Sequence, residues 1–174
     1  LCIFSIYLGA ELILVPSPQM PLIMDIVKKR TPTWLPGVPT LYQKIMDAAE
    51  EKDVDLSGIR NAFSGAATLP VEIVERWENL TGGRLVEGFG MTETSPVLTA
   101  NPMNGKHRPG YVGVPFPDTE VRIANPDNLD ETQPDGQPGE MLARGPQIFQ
   151  GYFGNAAATE KTFHNGWFRT GDMA

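Results

Sequence analysis

The segment 87–93, with the sequence Glu-Gly-Phe-Gly-Met-Thr-Glu, carries residue types that can hold a nucleotide. It follows a predicted strand, and in an open parallel sheet ligands bind beyond the carboxyl ends of the strands. Gly88 and Gly90 permit backbone geometries that other residues avoid, so a ligand can approach the main chain there. Phe89, which lies between them, can stack flat on a purine ring. The first half of the segment therefore predicts a place for a base.

The second half of the segment supplies oxygen atoms. Thr92 offers a hydroxyl to a phosphate oxygen, and Glu93 offers a hard oxygen ligand for magnesium. A purely structural interpretation stays open, in which the glycines form a tight turn, Phe89 belongs to the core, and Thr92 with Glu93 begins a helix. Two glycines separated by one residue are a weak signal, and the segment matches neither a Walker loop nor a dinucleotide fingerprint.

The composition indicates a globular α/β chain. Of the 174 residues 41% are apolar, and the 16 prolines and 18 glycines exceed what a helical bundle tolerates. The formal net charge of −7 argues against a general nucleic-acid binder, which needs a basic surface. A single cysteine, Cys2, cannot form an internal disulfide, so we expect a reducing compartment such as the cytoplasm.

The first part of the chain alternates predicted strands with predicted helices, as judged from the spacing of apolar residues. The predicted strands are residues 11–15, 33–35, 59–63 and 84–87, and the predicted helices are residues 22–30, 39–49 and 73–80. Because strands separated by helices are typical of βαβ units, they predict a parallel sheet. We expect residues 1–95 to form a partial doubly wound sheet with its helices.

Local signals set the ends of these elements. Thr68 is a candidate cap for the third helix, Pro70 lies near its first turn, and Gly82 with Gly83 marks its end. The apolar opening of the chain ends at Pro16, well short of a membrane-spanning length, and it begins in mid-pattern without a methionine. The opening therefore predicts a buried helical turn before the first strand, in a segment excised from a longer protein.

The composition of the sequence changes after residue 95. Pairs of asparagine, proline and glycine separate short runs in which apolar and polar residues alternate, such as residues 120–123 and 140–143. This pattern predicts that residues 96–174 form a small β-rich, distorted barrel-like subdomain. His107 and His164 are far apart and lack ligand spacing, so we assign them no role.

Three further segments accompany residues 87–93 in a fixed order. They are Ser64-Gly65-Ala66-Ala67-Thr68-Leu69-Pro70, then Gly139-Glu140 with Gly151-Tyr152 following, and finally Trp167-Phe168-Arg169-Thr170-Gly171-Asp172. Together these blocks resemble those of the adenylate-forming superfamily, which includes acyl-CoA synthetases, luciferases and peptide-synthetase adenylation domains. The intervening sequence is most similar to bacterial long-chain fatty acyl-CoA synthetases, particularly in Glu75-Arg76-Trp77, Leu80-Thr81-Gly82 and Asn101-Pro102.

The resemblance implies that two blocks surround the nucleotide. The block with small side chains would form one wall of the adenine and acyl site, with Ala66 standing where many relatives have glycine. In the glycine-rich block, Phe89 stands where the family usually has a tyrosine stacked on adenine. The implied nucleotide-binding residues of the two blocks are Gly65, Ala66, Ala67, Glu87, Gly88, Phe89, Gly90 and Met91.

The resemblance also implies the roles of three polar side chains. Thr92 would bind the α-phosphate, and Glu93 would bind Mg²⁺. Asp172 would accept hydrogen bonds from the ribose hydroxyls, a task for which the two oxygens of a carboxylate are suited. On its own residues, the Thr-Gly-Asp sequence at Asp172 also fits a surface turn.

The implied reaction has two steps. A fatty carboxylate attacks the α-phosphate of Mg-ATP to give acyl-adenylate, and the thiol of coenzyme A then displaces AMP. The family's phosphate loop and the lysine of its C-terminal domain are not found in this sequence. We therefore expect an internal fragment of a long-chain fatty acid–CoA ligase that folds at least partly, self-associates and is inactive alone. A fatty substrate also suits transient contact with the inner face of the cell membrane.

Two other interpretations stay open at this point. One is a noncatalytic module that keeps the fold and binds a nucleotide or an acyl ligand without reacting it. The other keeps the ligase reaction but replaces the fatty acid with an aryl or amino acid.

Overall fold

The computed structural model describes the backbone of residues 2–174 and the side chains of residue 3 and of residues 5–174. The chain divides into two compact units, Leu1–Val86 and Glu87–Ala174. The predicted fold class is confirmed, since the chain is mixed α/β with two sheets, one of them curled into half a barrel. Among the described residues, no helix combines the length and the apolar character needed to cross a membrane.

The first unit holds four helices and the first strands. They are α1 (Cys2–Tyr7), α2 (Met20–Arg30), β1 (Trp34–Gly37), α3 (Pro39–Lys52), β2 (Asn61–Ser64), α4 (Val71–Thr81) and the start of β3 (Arg84–Gly90). β1 and β2 run parallel, with Leu35 opposite Ala62. The Arg84 amide at the start of β3 donates to the Arg60 carbonyl at 2.8 Å. The predicted alternation of helices and strands is thus confirmed from α2 onward.

The ends of these helices follow from local sequence. α2 and α3 each begin with a proline, whose fixed φ suits the first helical turn. Gly82 ends α4 in the left-handed region, and its amide donates to the Glu78 carbonyl at 2.9 Å. The predicted cap at Thr68 is wrong, because Pro70 is the N-cap and no side chain caps the helix.

The opening of the chain differs from its prediction. A helix forms at Cys2–Tyr7, but Ile3 and Ile6 are largely exposed rather than buried. Residues 11–15 form no strand, and Leu14 is 71% exposed. Apolar character alone does not make a strand, since a strand also needs a neighbour for its backbone hydrogen bonds, and none pairs with this segment within residues 2–174. Leu1, the first residue of this apolar opening, lies outside the described residues.

The first core is built around Tyr42 and Trp77, which are both fully buried. Their rings meet edge to face with 4.9 Å between centroids. The Tyr42 hydroxyl lies 3.0 Å from the Leu35 carbonyl oxygen in β1 and 2.8 Å from the Phe63 carbonyl oxygen in β2. A helix side chain therefore joins the two parallel strands.

The second unit is β-rich. It holds the end of β3, β4 (Val97–Ala100), β5 (Val114–Pro115), β6 (Glu120–Asn125), β7 (Asn128–Thr132), β8 (Glu140–Arg144), α5 (Ala156–Thr162), β9 (Phe163–His164) and β10 (Trp167–Met173). β3, β4 and β5 pair antiparallel in that order. A separate antiparallel sheet has the order β7-β6-β8-β10-β9. The runs predicted at residues 120–123 and 140–143 are confirmed as β6 and β8.

The second core contains a cluster of aromatic rings. Phe149 lies at its centre, with ring centroids 4.9 Å from Tyr152, 5.7 Å from Phe163 and 5.7 Å from Phe168. Phe89 is partly buried against the same core. The loop that contains Phe149 thus packs on the strands β9 and β10.

Candidate functional site

The segment 87–93 is positioned by strand β3, which is longer than predicted. The strand continues through Gly90 rather than ending at Glu87, because Gly88 and Phe89 pair with Ala100 and Thr99 of β4. A Cβ at Gly90 would overlap the Pro96 carbonyl oxygen. Glycine is therefore required at this position by the close approach of β4 rather than by its own φ.

A short 3₁₀ turn, Thr92–Thr94, follows the strand. The Thr94 hydroxyl is buried, accepts from the Met91 amide at 2.9 Å and lies 2.8 Å from the Pro96 carbonyl oxygen. These bonds close the turn on itself. Thr92 is left exposed and Glu93 half-buried, so both side chains can reach a ligand.

The loop around Phe149 holds Glu93 at two places. The Phe149 amide donates to the Glu93 carbonyl oxygen at 2.9 Å, and the Tyr152 hydroxyl donates to Glu93 Oε1 at 2.8 Å. The hydrogen bond to Glu93 is the main cause that raises the pKa of the Tyr152 phenol above its usual range, because a nearby carboxylate favours the protonated donor. Tyr152 therefore stays a donor at neutral pH.

A cavity of about 300 Å³ opens beside Glu93. Its lining combines two carboxylates with two cations and several hydroxyl groups. The lining residues are Met91, Glu93, Glu140, Tyr152, Lys161, Thr162, Phe168, Arg169, Thr170 and Gly171.

Two of the charged lining residues are paired. Arg169 donates to Glu140 through two nitrogens at 3.0 and 2.7 Å, and the Glu140 side chain is almost fully buried. The hydrogen bond to Glu140 raises the pKa of Arg169 above its usual value. This bidentate pair lies in the lining of the cavity, whereas the exposed Lys161 extends from the last turn of α5.

The residues around Glu93 fit a nucleotide-bound magnesium ion. Such an ion takes one or two carboxylates from the protein and draws its other ligands from phosphates and water. Glu93 supplies one carboxylate, and Lys161 lines the same cavity with a charge suited to phosphate. Among the side chains that the structure describes, no group of three or more from His, Cys, Asp or Glu could hold a metal unaided.

The structure brings only some of the predicted site residues together. Met91 and Glu93 line the cavity, and Thr92 lies exposed between them. Asp172 is exposed in β10, directly after the lining residue Gly171, and its amide donates to the Thr170 hydroxyl at 3.1 Å. Glu87 is buried at the base of the segment.

The block with small side chains lies in the first unit, directly after β2. The Gly65 amide donates to the Gly37 carbonyl oxygen at 3.2 Å, while Ala66 and Ala67 are exposed. Ala66 has φ +67°, in the left-handed region that favours glycine. The absence of glycine at Ala66 therefore costs backbone strain.

Sequence reasoning missed Tyr152, Lys161 and the Glu140–Arg169 pair as parts of the cavity. Tyr152 and Glu140 stood in blocks that were recognised, but their partners lie 59 and 29 residues away. Local spacing carries no signal for such contacts. Glu140 and Arg169 lie in adjacent strands, and their pairing could have been proposed only with the register of β8 and β10 in hand.

Comparisons with known proteins show which family the chain resembles. A model of the family of AMP-binding enzymes matches residues 1–153. The long-chain-fatty-acid–CoA ligase of Bacillus subtilis (strain 168) is 40% identical over 170 residues, which cover 98% of this chain and 30% of that ligase. The ligase of the same name from Yersinia pestis is 36% identical over 174 residues, 99% of this chain and 31% of that protein.

A solved structure shows the same fold. The anthranilate CoA ligase AuaEII, crystallised with anthranoyl-AMP, superposes with a TM-score of 0.89 at 28% identity, over 98% of this chain and 33% of that one. The chain thus spans about 30% of the length of the curated relatives it matches. Because the family model matches most of its length, the chain belongs to the family of AMP-binding enzymes.

Proposed function

We propose that this chain is the nucleotide-binding middle part of a longer, AMP-forming acyl-CoA ligase. The complete ligase activates a long-chain fatty acid with Mg-ATP to acyl-adenylate and transfers the acyl group to coenzyme A. The observation that carries the proposal is the cavity beside Glu93, where one fixed carboxylate and the cation of Lys161 face the same space. Family membership and the names of the relatives point to the same reaction.

In this proposal the residues of the segment 91–93 handle the phosphates. The exposed Thr92 hydroxyl donates a hydrogen bond to the α-phosphate. The Glu93 carboxylate binds Mg²⁺, which when bound offsets the charge that builds as the carboxylate of the acid meets the α-phosphate. No covalent enzyme nucleophile is needed, because the acid itself attacks phosphorus.

The remaining predicted residues hold the nucleoside. Asp172 accepts hydrogen bonds from the ribose hydroxyls, and Phe89 contributes its ring to the base site. The backbone of residues 65–67 forms a wall of the adenine and acyl site in the complete ligase. We assign residues 1–95 to the α/β subdomain and residues 96–174 to the β-rich subdomain of its N-terminal domain.

A second candidate substrate class has a specific observation behind it. The solved structure that superposes on nearly the whole chain carries an aryl adenylate, anthranoyl-AMP. An aryl acid therefore stands beside the fatty acid as the candidate substrate. A panel of fatty and aryl acids, assayed by pyrophosphate release from the complete ligase, separates the two.

The proposed reaction is tested by acid-dependent exchange of labelled pyrophosphate into ATP, run on the complete ligase. Glu93→Gln keeps the shape of the side chain but removes its charge. We therefore expect an exchange rate at least about 10- to 100-fold lower at limiting Mg²⁺, since that loss already follows when a hydrogen-bonded partner of a metal ligand is removed. Glu75→Gln, at an exposed position on α4, is the matched control. Exchange by the Glu93 variant that follows the wild-type magnesium titration would refute the metal role.

A noncatalytic binding module gives a different result in the same experiment. It binds ATP but shows no exchange with any acid, in the wild type as in the variants. A nucleotide-binding measurement on the wild-type protein therefore accompanies the exchange assay.

A further inference from the structure

We propose that Tyr152 is a positioning residue that fixes the Glu93 carboxylate for the metal–nucleotide complex, an inference that rests on the function proposed above. The Tyr152 hydroxyl donates to Glu93 Oε1 at 2.8 Å. Among the described residues, Glu93 Oε2 has no hydrogen-bond or ion-pair partner. The phenol thus occupies one carboxylate oxygen and leaves the other for the metal.

Positioning matters for this carboxylate because glutamate is long and has several rotatable bonds. Fixing such a side chain costs rotamer entropy, which otherwise has to be lost when the metal binds. A hydrogen bond made before binding supplies that order in advance. Hydrogen-bonded partners of metal ligands commonly raise metal affinity in this way.

Tyr152 is itself held on two sides. Its ring packs edge to face on Phe149, and its amide donates to the Thr159 hydroxyl at 2.9 Å. The same loop binds the Glu93 main chain through the Phe149 amide. Glu93 is therefore hydrogen-bonded at its backbone by Phe149 and at its side chain by Tyr152, which are only three positions apart.

Packing alone does not account for a tyrosine at this position. Tyr152 is 40% exposed, and a phenylalanine would make the same edge-to-face contact with Phe149. What the hydroxyl adds is the hydrogen bond to Glu93, together with a smaller interaction with the Thr162 side chain. The substitution Tyr152→Phe therefore removes the positioning contact and leaves the packing.

The test measures metal binding without turnover. The complete ligase is mixed with Mn²⁺ and α,β-methylene-ATP, an analogue that cannot be cleaved at the bond broken in adenylation, and free Mn²⁺ is counted by electron paramagnetic resonance. The proteins are the wild type, Tyr152→Phe, Glu93→Gln and the double variant. Tyr111→Phe is the matched control, since Tyr111 is 63% exposed in the same unit.

We expect Tyr152→Phe to raise the dissociation constant of Mn²⁺ about tenfold, the low end of the usual effect of such partners. Tyr111→Phe leaves it unchanged. In the Glu93→Gln background the Tyr152 substitution adds no further loss, because the side chain that it orients no longer binds the metal. This coupling separates positioning from a general effect on the loop.

Other results overturn the inference. If Tyr152→Phe binds Mn²⁺ as tightly as the wild type does, the positioning role is refuted. It is also refuted if Tyr152→Phe weakens Mn²⁺ binding equally in the wild type and in Glu93→Gln, because that result indicates an effect on loop packing. Unchanged Mn²⁺ binding in Glu93→Gln removes the metal role of Glu93 and the role of Tyr152 with it. The expected coupling without any acid-dependent pyrophosphate exchange in the wild type refutes the ligase reaction and leaves the positioning role supported.

Discussion

The substitution Tyr42→Phe tests how the strands before the small-residue block are held together. The buried Tyr42 hydroxyl has one proton and lies within hydrogen-bond distance of two carbonyl oxygens, in β1 and β2. A neutral hydrogen bond contributes about 1 kcal/mol net, and a buried acceptor left without a donor costs somewhat more. We therefore expect the variant to lose about 1.5 kcal/mol of unfolding free energy at pH 7.

Because of the same hydroxyl, the difference in unfolding free energy between the wild type and Tyr42→Phe depends on pH. Burial, the largest cause, raises the pKa of Tyr42 far above that of an exposed tyrosine. Above the ordinary tyrosine pKa of about 10, the unfolded chain loses this proton while the folded chain keeps it. Alkali therefore favours unfolding of the wild type, and its stability falls by about 1.4 kcal/mol per pH unit relative to the variant.

These two magnitudes predict where the stability curves meet. The wild type is more stable than Tyr42→Phe by about 1.5 kcal/mol at neutral pH. This difference falls to zero about one pH unit above the pKa of tyrosine in the unfolded chain, near pH 11. Below about pH 9 the lead is constant, because both states keep the proton. The Phe variant overtakes the wild type at still higher pH.

Urea unfolding at a series of pH values measures this difference. Two of the three tryptophans, Trp34 and Trp77, lie in the first unit, so fluorescence reports mainly on its unfolding. Tyr7→Phe is the control for an exposed tyrosine in the same unit, since Tyr7 is 84% exposed. Equal stability of wild type and Tyr42→Phe at pH 7, or a lead that is the same at pH 8 and pH 11, would refute the reasoning.

Three further substitutions test the elements around the site. Gly90→Ala forces a Cβ into the Pro96 carbonyl oxygen and should cost about 1–3 kcal/mol of stability by overpacking, seen as a lower thermal midpoint. Ala66→Gly should stabilise the chain by about 0.5–1 kcal/mol in urea unfolding, because relief of the left-handed strain exceeds the entropy that glycine adds to the unfolded state. In the complete ligase, Asp172→Ala should raise the KM for ATP and leave kcat nearly unchanged, because a ribose contact is present in ground and transition states alike. A loss confined to kcat at saturating ATP would give Asp172 a different role.

The parts of the fold that sequence predicted well are those where local signals agree. α3 begins at Pro39 because a proline suits the first turn, and its apolar residues recur at helical spacing over the next three turns. α4 ends at Gly82 for an equally local reason. The segment 11–15 has the apolar composition of a strand, but no strand of the described part of the chain pairs with it, and composition cannot supply a partner.

The candidate site also has parts that the sequence predicts and parts that it does not. Glu93 could be singled out because its residue type and its place after a strand both suit a ligand. The contact with Tyr152 could not, since it joins residues 59 positions apart through the packing of a loop on an aromatic cluster. The extension of β3 to Gly90 likewise depends on pairing with β4, which the glycines alone do not indicate.

Phe149 connects the aromatic core of the second unit with Glu93 of the candidate site, and this connection limits which substitutions the protein can accept. Its ring is surrounded by three other aromatic rings, and its amide holds the backbone of Glu93. A change of ring size at Phe163 or Phe168 would therefore be transmitted to the carboxylate through a single peptide unit. Substitutions in this cluster are therefore expected to change the position of Glu93 as well as the stability, whereas substitutions in the core around Trp77 change the stability alone.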